Sequence, residues 1–354
     1  MKYERWMTSL LALLVCADGL SACQSGAGLS AAAYDGAEKI LVPNMAWPCG
    51  MADGIPVPER GVPVLVATMK LEQFYDLGKT PYGQRKVLVV QSGEVSGAKI
   101  TGSVMSGGLD FQLNFSNGAM EIEQVLVLRT GDGKYIYLRN AGTAANTRDV
   151  RMMPDFEAPN TIGYSWLNTG NYAGRREVNL AAKTMKITVY DVSGLALVPT
   201  KANSVPVTTP TDVQDQPWDY RKANAGERRG EQIISENVTL GANQSMGAMK
   251  RGNRNIIPIT GGTIRGRITG KVIAGGADYQ NLKNPMTLDA RYLWQASDGG
   301  VIIVRNGGSM GLLVPTFEVR VDSPYAWLNK GSYLSSNPSM GSGGVGLTFY
   351  ESRP

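Results

Sequence analysis

The stretch "ITGSVMSGGLDFQ", residues 100–112, returns as "ITGKVIAGGADYQ" at residues 268–280. Each copy sets an Asp and a Gln two positions apart behind a Gly-Gly pair. In a β-strand, residues two apart share a face. Asp110 and Gln112 therefore point together, as do Asp278 and Gln280, while Phe111 and Tyr279 face the other way. The likeness continues outward from this stretch. "RTGDGKYIYLRNAG" (129–142) corresponds to "QASDGGVIIVRNGG" (295–308), and "FEAPNTIGYSWLN" (156–168) to "FEVRVDSPYAWLN" (317–329). "MKITVYD" (185–191) matches "VGLTFYE" (345–351), and "GQR" at 83–85 matches "GNR" at 252–254. Order and spacing are kept, so the chain carries two homologous domains at a period far too long for a solenoid.

Each copy is a series of short alternating runs cut by turn residues, such as "KVLVV", "DFQLNF", "EQVLVLR" and "MKITVYD". These read as strands. Asp132-Gly133 and Asp298-Gly299 fall between runs, where tight hairpins use them. Helical periodicity is almost absent. Many short strands per copy predict an all-β protein of two tandem antiparallel β-barrels related by internal duplication, because closure removes exposed sheet edges. The barrels are expected over residues 62–192 and 228–352, joined by a linker at 193–227 and packed on each other. Gly107, Gly108, Gly275 and Gly276 read as bulge or turn residues. "GSGGVG" (341–346) fits a dinucleotide-binding glycine pattern on paper but lacks the βαβ context, and reads as a hairpin loop.

Composition narrows the chemistry. With 43 glycines in 354 residues, the chain is rich in turns. The formal charge of +5 is scattered, and "YRKANAGERRGE" (220–231) interleaves acids with bases, so it reads as a solvated connector and no nucleic-acid partner is expected. Histidine is absent. That excludes Ser-His-Asp and Cys-His systems and every imidazole metal site, and no metal or cofactor is expected. Acid–base work falls to Asp, Glu, Tyr, Lys or water.

Residues 1–23, "MKYERWMTSLLALLVCADGLSAC", combine Lys2 and Arg5 with an apolar run too short to span a bilayer. The ending Leu20-Ser21-Ala22-Cys23 resembles a bacterial lipobox. It implies a signal peptide over 1–22, lipidation at Cys23, a tether over 23–61 and a lipid-anchored place in the bacterial envelope. Gln24 makes the outer membrane the default in a Gram-negative host. Cys49 is then the one other cysteine of the mature chain, so no internal disulfide is available.

The motifs present in both copies resemble the family called domain of unknown function 3237, or uncharacterised protein family 0311. The resemblance rests on the "GQR"/"GNR" opening, the Gly-Gly stretch with its Asp and Gln, "DG" followed by "RN", then "FE" and "WLN". It implies one antiparallel barrel per copy and assigns no activity. Arg139 to Glu157 spans 157 − 139 = 18 positions, against 318 − 305 = 13 from Arg305 to Glu318, so the second copy has a shorter loop.

Polar residues repeated in both copies are the candidate ligand-binding set: Asp110, Gln112, Arg139, Glu157 and Tyr164, with Asp278, Gln280, Arg305, Glu318 and Tyr325. Around a barrel mouth they would bind the polar end of a small, largely apolar ligand. The competing expectation is a cofactor-independent isomerase, lyase or cyclase, with Asp or Glu as base and Tyr or Arg as oxyanion stabiliser. The pairs Asp110–Arg139 and Asp278–Arg305 are expected to converge, with the longer loop giving the first copy the tighter site. Tyr164, Trp166 and Asn168 read as one face of a strand, as do Tyr325, Trp327 and Asn329.

Overall fold

A computed structural model describes residues 41–42, 54–195 (without 145, 147 and 162), 203–204 and 223–354 (without 284, 342 and 343). Cys23, Cys49, the apolar amino-terminal run and most of the connector lie outside the described residues.

In chain order, a short strand β1 (Leu41–Val42) precedes the first barrel. That barrel comprises β2 (Val62–Thr80), β3 (Gly83–Ser96), β4 (Gly102–Val104), β5 (Leu109–Asn114), β6 (Met120–Thr130), β7 (Tyr135–Ala144), β8 (Arg151–Glu157), β9 (Tyr172–Asn179) and β10 (Thr184–Asp191). Strand β11 (Asn203–Ser204) pairs in parallel with β1. The second barrel comprises β12 (Arg228–Leu240), β13 (Gln244–Met249), β14 (Gly252–Gly266), β15 (Gly270–Val272), β16 (Ala277–Asn281), β17 (Thr287–Ala296), β18 (Val301–Ser309), β19 (Leu312–Glu318), β20 (Tyr333–Ser335), β21 (Ser339–Gly341) and β22 (Gly344–Arg353).

Both sheets close on themselves. In the first, β10 pairs antiparallel with β2, which pairs with β3. In the second, β22 returns to β12, which pairs with β14. β4 and β5 share one position between β3 and β6, and β15 and β16 share one between β14 and β17. The break falls at Gly107-Gly108 in one copy and Gly275-Gly276 in the other, with Gly107 at φ 90° and Gly276 at φ 79°. That backbone region is open to glycine and costly for other residues.

The first barrel is filled by Leu65, Met69, Leu88, Leu126, Leu138, Phe156 and Ile187. The second is filled by Ile234, Ile264, Trp294, Val304, Phe317 and Phe349, with the Trp294 ring centroid 5.2 Å from Phe317 and 5.3 Å from Phe349. A third cluster lies between the barrels: Val87, Val89, Leu109, Phe111, Val125 and Tyr137 of the first meet Met246, Ile256, Tyr279, Leu293 and Ile303 of the second. Strands at this seam are buried on both faces, and β6 is buried at every position but Arg129. Removing apolar surface from water is the main force holding the two halves together.

One expectation is corrected. Ser165–Asn168 and Ala326–Asn329 are 3-10 turns, not strands. The cause is the asparagine that closes each turn. Asn168 accepts from the Ala158 N–H (2.8 Å) and donates to the Ala158 carbonyl (2.9 Å), so its amide occupies the place a neighbouring strand would take. Asn329 does the same to Val319, at 2.9 Å in both directions. A side chain that satisfies the backbone locally competes with ladder formation.

Candidate functional site

Register divides the sequence candidates between two faces of the barrel wall. Asp110 pairs with Gln124 of β6, and Gln124 with Asn140 of β7, so these three form an inward row. Arg139 stands one residue from Asn140 and faces outward, since one step along a strand reverses the face. Asp110 and Arg139 therefore do not meet.

Inside the first barrel, Arg176 of β9 grips Asp110 through Nε–Oδ2 at 2.9 Å and Nη2–Oδ1 at 2.6 Å. Gln124 donates to Asp110 Oδ2 at 2.7 Å, and Gln112 to Oδ1 at 3.3 Å. Asn140 donates to Gln124 Oε1 at 2.6 Å. All five side chains are buried. Every lone pair of the carboxylate is engaged, as a buried charge requires.

Arg139, Glu157, Arg305 and Glu318 sit on the outer face, at the seam between the barrels. Glu318 accepts from Arg85 Nε (2.7 Å) and Nη2 (3.0 Å), from Thr80 Oγ1 (2.7 Å) and from Arg305 Nη1 (3.5 Å). Glu157 accepts from Arg254 Nε (2.9 Å) and Nη2 (2.8 Å) and from Arg251 Nη1 (3.1 Å). Arg139 reaches Asp155 at 3.4 Å, beside Lys250 at 2.5 Å. Desolvation pushes the carboxyls of Glu318, Glu157 and Asp155 up, yet the cations beside them hold all three below their ordinary values. Tyr137 stacks on Tyr279 at 5.2 Å, Arg254 lies over Tyr137 and Arg305 over Phe111, both at 5.4 Å. Glu123 pairs with Arg291 across the same seam.

Tyr164 and Tyr325 belong to neither group. Tyr164 Oη donates to Asp132 at 2.9 Å, and Tyr325 bonds Asp298, so each braces its Asp-Gly hairpin at the surface.

The second barrel interior differs. The chain position matching Arg176 is Asn337, counting from the shared tyrosines Tyr172 and Tyr333. Among the described residues, no Lys or Arg pairs with Asp278. It accepts from Gln280 Nε2 (2.7 Å) and the Asp289 backbone N–H (3.1 Å), and Asn255 donates to Gln280 Oε1 (2.7 Å). Desolvation raises its carboxyl to about 6, against the pull of those two donors. Asp278 and Gln280 line a cavity of about 280 Å³ whose other walls include Ile257, Leu288, Ala290, Tyr292, Asn306 and Leu347. The cavity reaches the surface at Met310 and at Met340, which is 84% exposed.

Behind Tyr292 lies a carboxyl outside the repeated set. Glu236 of β12 accepts from Tyr292 Oη at 2.6 Å and from Trp294 Nε1 at 2.8 Å. Burial raises it to about 7 in spite of these donors. Its equivalent in the first barrel is Ala67: Glu236 pairs with Leu347 and Ile264, where Ala67 pairs with Ile187 and Val95. Tyr292 and Trp294 correspond in turn to Leu126 and Leu128, by their pairing with Val304 and Ile302 against Leu138 and Ile136.

A search restricted to polar residues kept in both copies passes over Arg176, Glu236, Tyr292 and Trp294. Asymmetry between the copies is the signal that finds them.

Residues 60–193 and 230–312 match the family model described as "Protein of unknown function (DUF3237)". A UPF0311 protein of Bradyrhizobium diazoefficiens is 42% identical over 59 residues, 16% of this chain and 39% of that protein. A UPF0311 protein of Rhodopseudomonas palustris is 40% identical over 79 residues, 22% of this chain and 52% of that one. The chain thus spans about two fifths to one half of the curated relatives it matches. Among solved structures, a beta-barrel like protein from Acinetobacter baumannii matches with a TM-score of 0.34 and 22% identity, covering 37% of this chain and 94% of that one.

Proposed function

Because this chain belongs to the DUF3237 family, whose description carries no activity, we propose a function from its side chains: the second barrel binds a small, largely apolar molecule with a polar end. The observation that carries this reading is the contrast between the two interiors. Asp110 is met by Arg176 and closed into a salt-bridged network, whereas Asp278 faces a cavity with no basic partner among the described residues. At about 280 Å³ the cavity lies at the lower edge of the usual range for small-molecule sites. Its aliphatic and methionine walls suit an apolar body, and Asp278 with Gln280 suits a group that donates or shares a hydrogen bond. In this reading the first barrel is the packing partner, and the site of higher affinity is the second.

The test is thermal-shift screening against amphipathic metabolites, on the wild type and on Ala290→Trp, which fills the cavity. A ligand that raises Tm in the wild type and not in the variant supports the reading. Hits that persist in the variant, or no hits at all, would sink it. The motif ending at Cys23 supports a lipid tether that holds both barrels at a bacterial envelope membrane. Mass spectrometry of the mature amino terminus decides that point, and an unacylated start refutes it.

A further inference from the structure

We propose that the second barrel catalyses a proton shift on an enolisable carbonyl compound, with Asp278 as the base, Tyr292 as the hydrogen-bond donor to the carbonyl oxygen, and Glu236 positioning Tyr292 from behind. This inference rests on the binding reading above and names its substrate class.

The geometry begins with register. Asp278 of β16 pairs with Ala290 of β17, and Tyr292 is two residues further along the same inward face. Both side chains line the one cavity. Diagonal neighbours of this kind lie about 7–8 Å apart at the backbone, which leaves room for a small ligand atom between their tips. Tyr292 in turn is held by Glu236 at 2.6 Å, and Glu236 is steadied by Trp294 at 2.8 Å. The residues paired with Glu236 on either side, Ile264 and Leu347, are apolar. Asp278 is the other titratable group that acts on Tyr292.

The fold itself does not need this set. The first barrel closes in the same order with Ala67, Leu126 and Leu128 at the three positions. Placing a carboxyl in an apolar barrel interior is costly without a compensating role. A residue trio that appears in one copy only, behind an Asp278 that no Lys or Arg pairs with among the described residues, fits chemistry better than packing.

The proton count closes within the site. The Asp278 carboxylate removes a proton from the carbon beside the carbonyl. The C–H electron pair becomes the C=C bond of an enolate, and the C=O π pair moves onto oxygen. Tyr292 hydrogen-bonds that oxygen when Glu236 is protonated, because the carboxyl proton then points to Tyr292 Oη and frees the phenolic O–H for the cavity. Asp278 returns the proton to the same carbon or to a conjugated one. No oxidant, reductant or co-substrate is consumed. Burial holds Asp278 near 6 and Glu236 near 7, so an ionised base and a protonated carboxyl coexist near neutrality.

The experiment uses 2-tetralone as the enolisable probe and 2-naphthol, a planar mimic of its enolate, as the binding probe. Proton NMR in D2O follows loss of the α-proton signals of 2-tetralone, and fluorescence titration follows 2-naphthol. The wild type is expected to exchange faster than buffer, with a maximum between pH 6 and 7. Asp278→Asn falls to the buffer rate, and Tyr292→Phe loses about tenfold or more. Glu236→Gln keeps a donor on Tyr292 at every pH, so its profile loses the alkaline fall, whereas Glu236→Ala slows exchange throughout. Circular dichroism and Tm confirm that each variant is folded. If 2-naphthol binds in the cavity and 2-tetralone exchanges no faster than in buffer, catalysis is refuted and the binding reading stands. If neither probe responds, both readings fall. Exchange that is fast yet unchanged in Asp278→Asn and Tyr292→Phe overturns the residue assignment.

Discussion

Arg85 of the first barrel holds Glu318 of the second through two hydrogen bonds, and Arg254 of the second holds Glu157 of the first in the same way. Because "GQR" and "GNR" match, and the two "FE" pairs match, these are one interaction written twice with the copies exchanged. Such reciprocity is the signature of a two-fold interface, here built within one chain.

Glu318→Gln removes the charge that Arg85 and Arg305 face. Both guanidinium groups are almost wholly buried, so the loss is expected to be about 3–5 kcal/mol, read from urea denaturation. Glu157→Gln is expected to cost less, since Arg251 is 38% exposed and Asp155 still compensates it. Equal losses at the two sites would refute this difference.

Acid should loosen the same seam. Glu318, Glu157 and Asp155 have folded-state values below their ordinary 4.5, 4.5 and 3.8. Their contribution is therefore complete above those values and is lost as pH falls through the lower folded ones. A Tm series from pH 5 to pH 2 should fall steeply in the wild type and less steeply in Glu318→Gln.

Glu236 has the opposite sign. Its folded value of about 7 lies above the ordinary 4.5, so its contribution is complete below 4.5 and is lost as pH rises through about 7. Glu236→Gln should match the wild type near pH 4 and be more stable at pH 8, by about 3 kcal/mol. A pH-independent difference would contradict a buried ionisable carboxyl at this position.

Asp110→Asn strands the Arg176 guanidinium inside the first barrel and should cost about 3–5 kcal/mol. Replacing both, Asp110→Leu with Arg176→Met, should restore most of that stability, because a buried ion pair is often no better than apolar packing. If the double variant is as weak as the single one, the pair does more than fill the barrel.

Gly276 offers a test of the seam's backbone. Its N–H donates to the Gly107 carbonyl of the other barrel at 2.6 Å, and an added Cβ would collide with the Arg291 carbonyl. Gly276→Ala should destabilise by about 1–3 kcal/mol from backbone strain alone. Gly299→Ala, at φ 92° with open space around it, should show strain without collision and lose less.

The fold was readable because duplication doubles every signal: a run such as "DFQLNF" that alternates in one copy and alternates again 168 residues later, at 278–280, is a strand in both. Alternation separates the two faces of a strand but does not say which is inside. Phe111 and Asp110 could each have pointed inward, and the hidden apolar seam is why both faces of β5 and β6 are apolar or buried. Arg139 looked like the partner of Asp110, and only cross-strand register shows that Arg176 is. Repetition also misleads about chemistry. Some residues kept in both copies, such as Glu157 and Glu318, serve the shared interface, while Glu236 and Tyr292 occur once.

Joining the barrels in one chain has a further consequence. In a dimer of identical subunits every substitution arises in duplicate, so an arginine that plugs one interior plugs the other, and an acid introduced in one interior burdens both. Here Arg176 and Glu236 occupy one half each. The tandem arrangement frees the halves to diverge while the seam stays reciprocal, and it keeps the pair assembled at any dilution, since the partner is always tethered alongside.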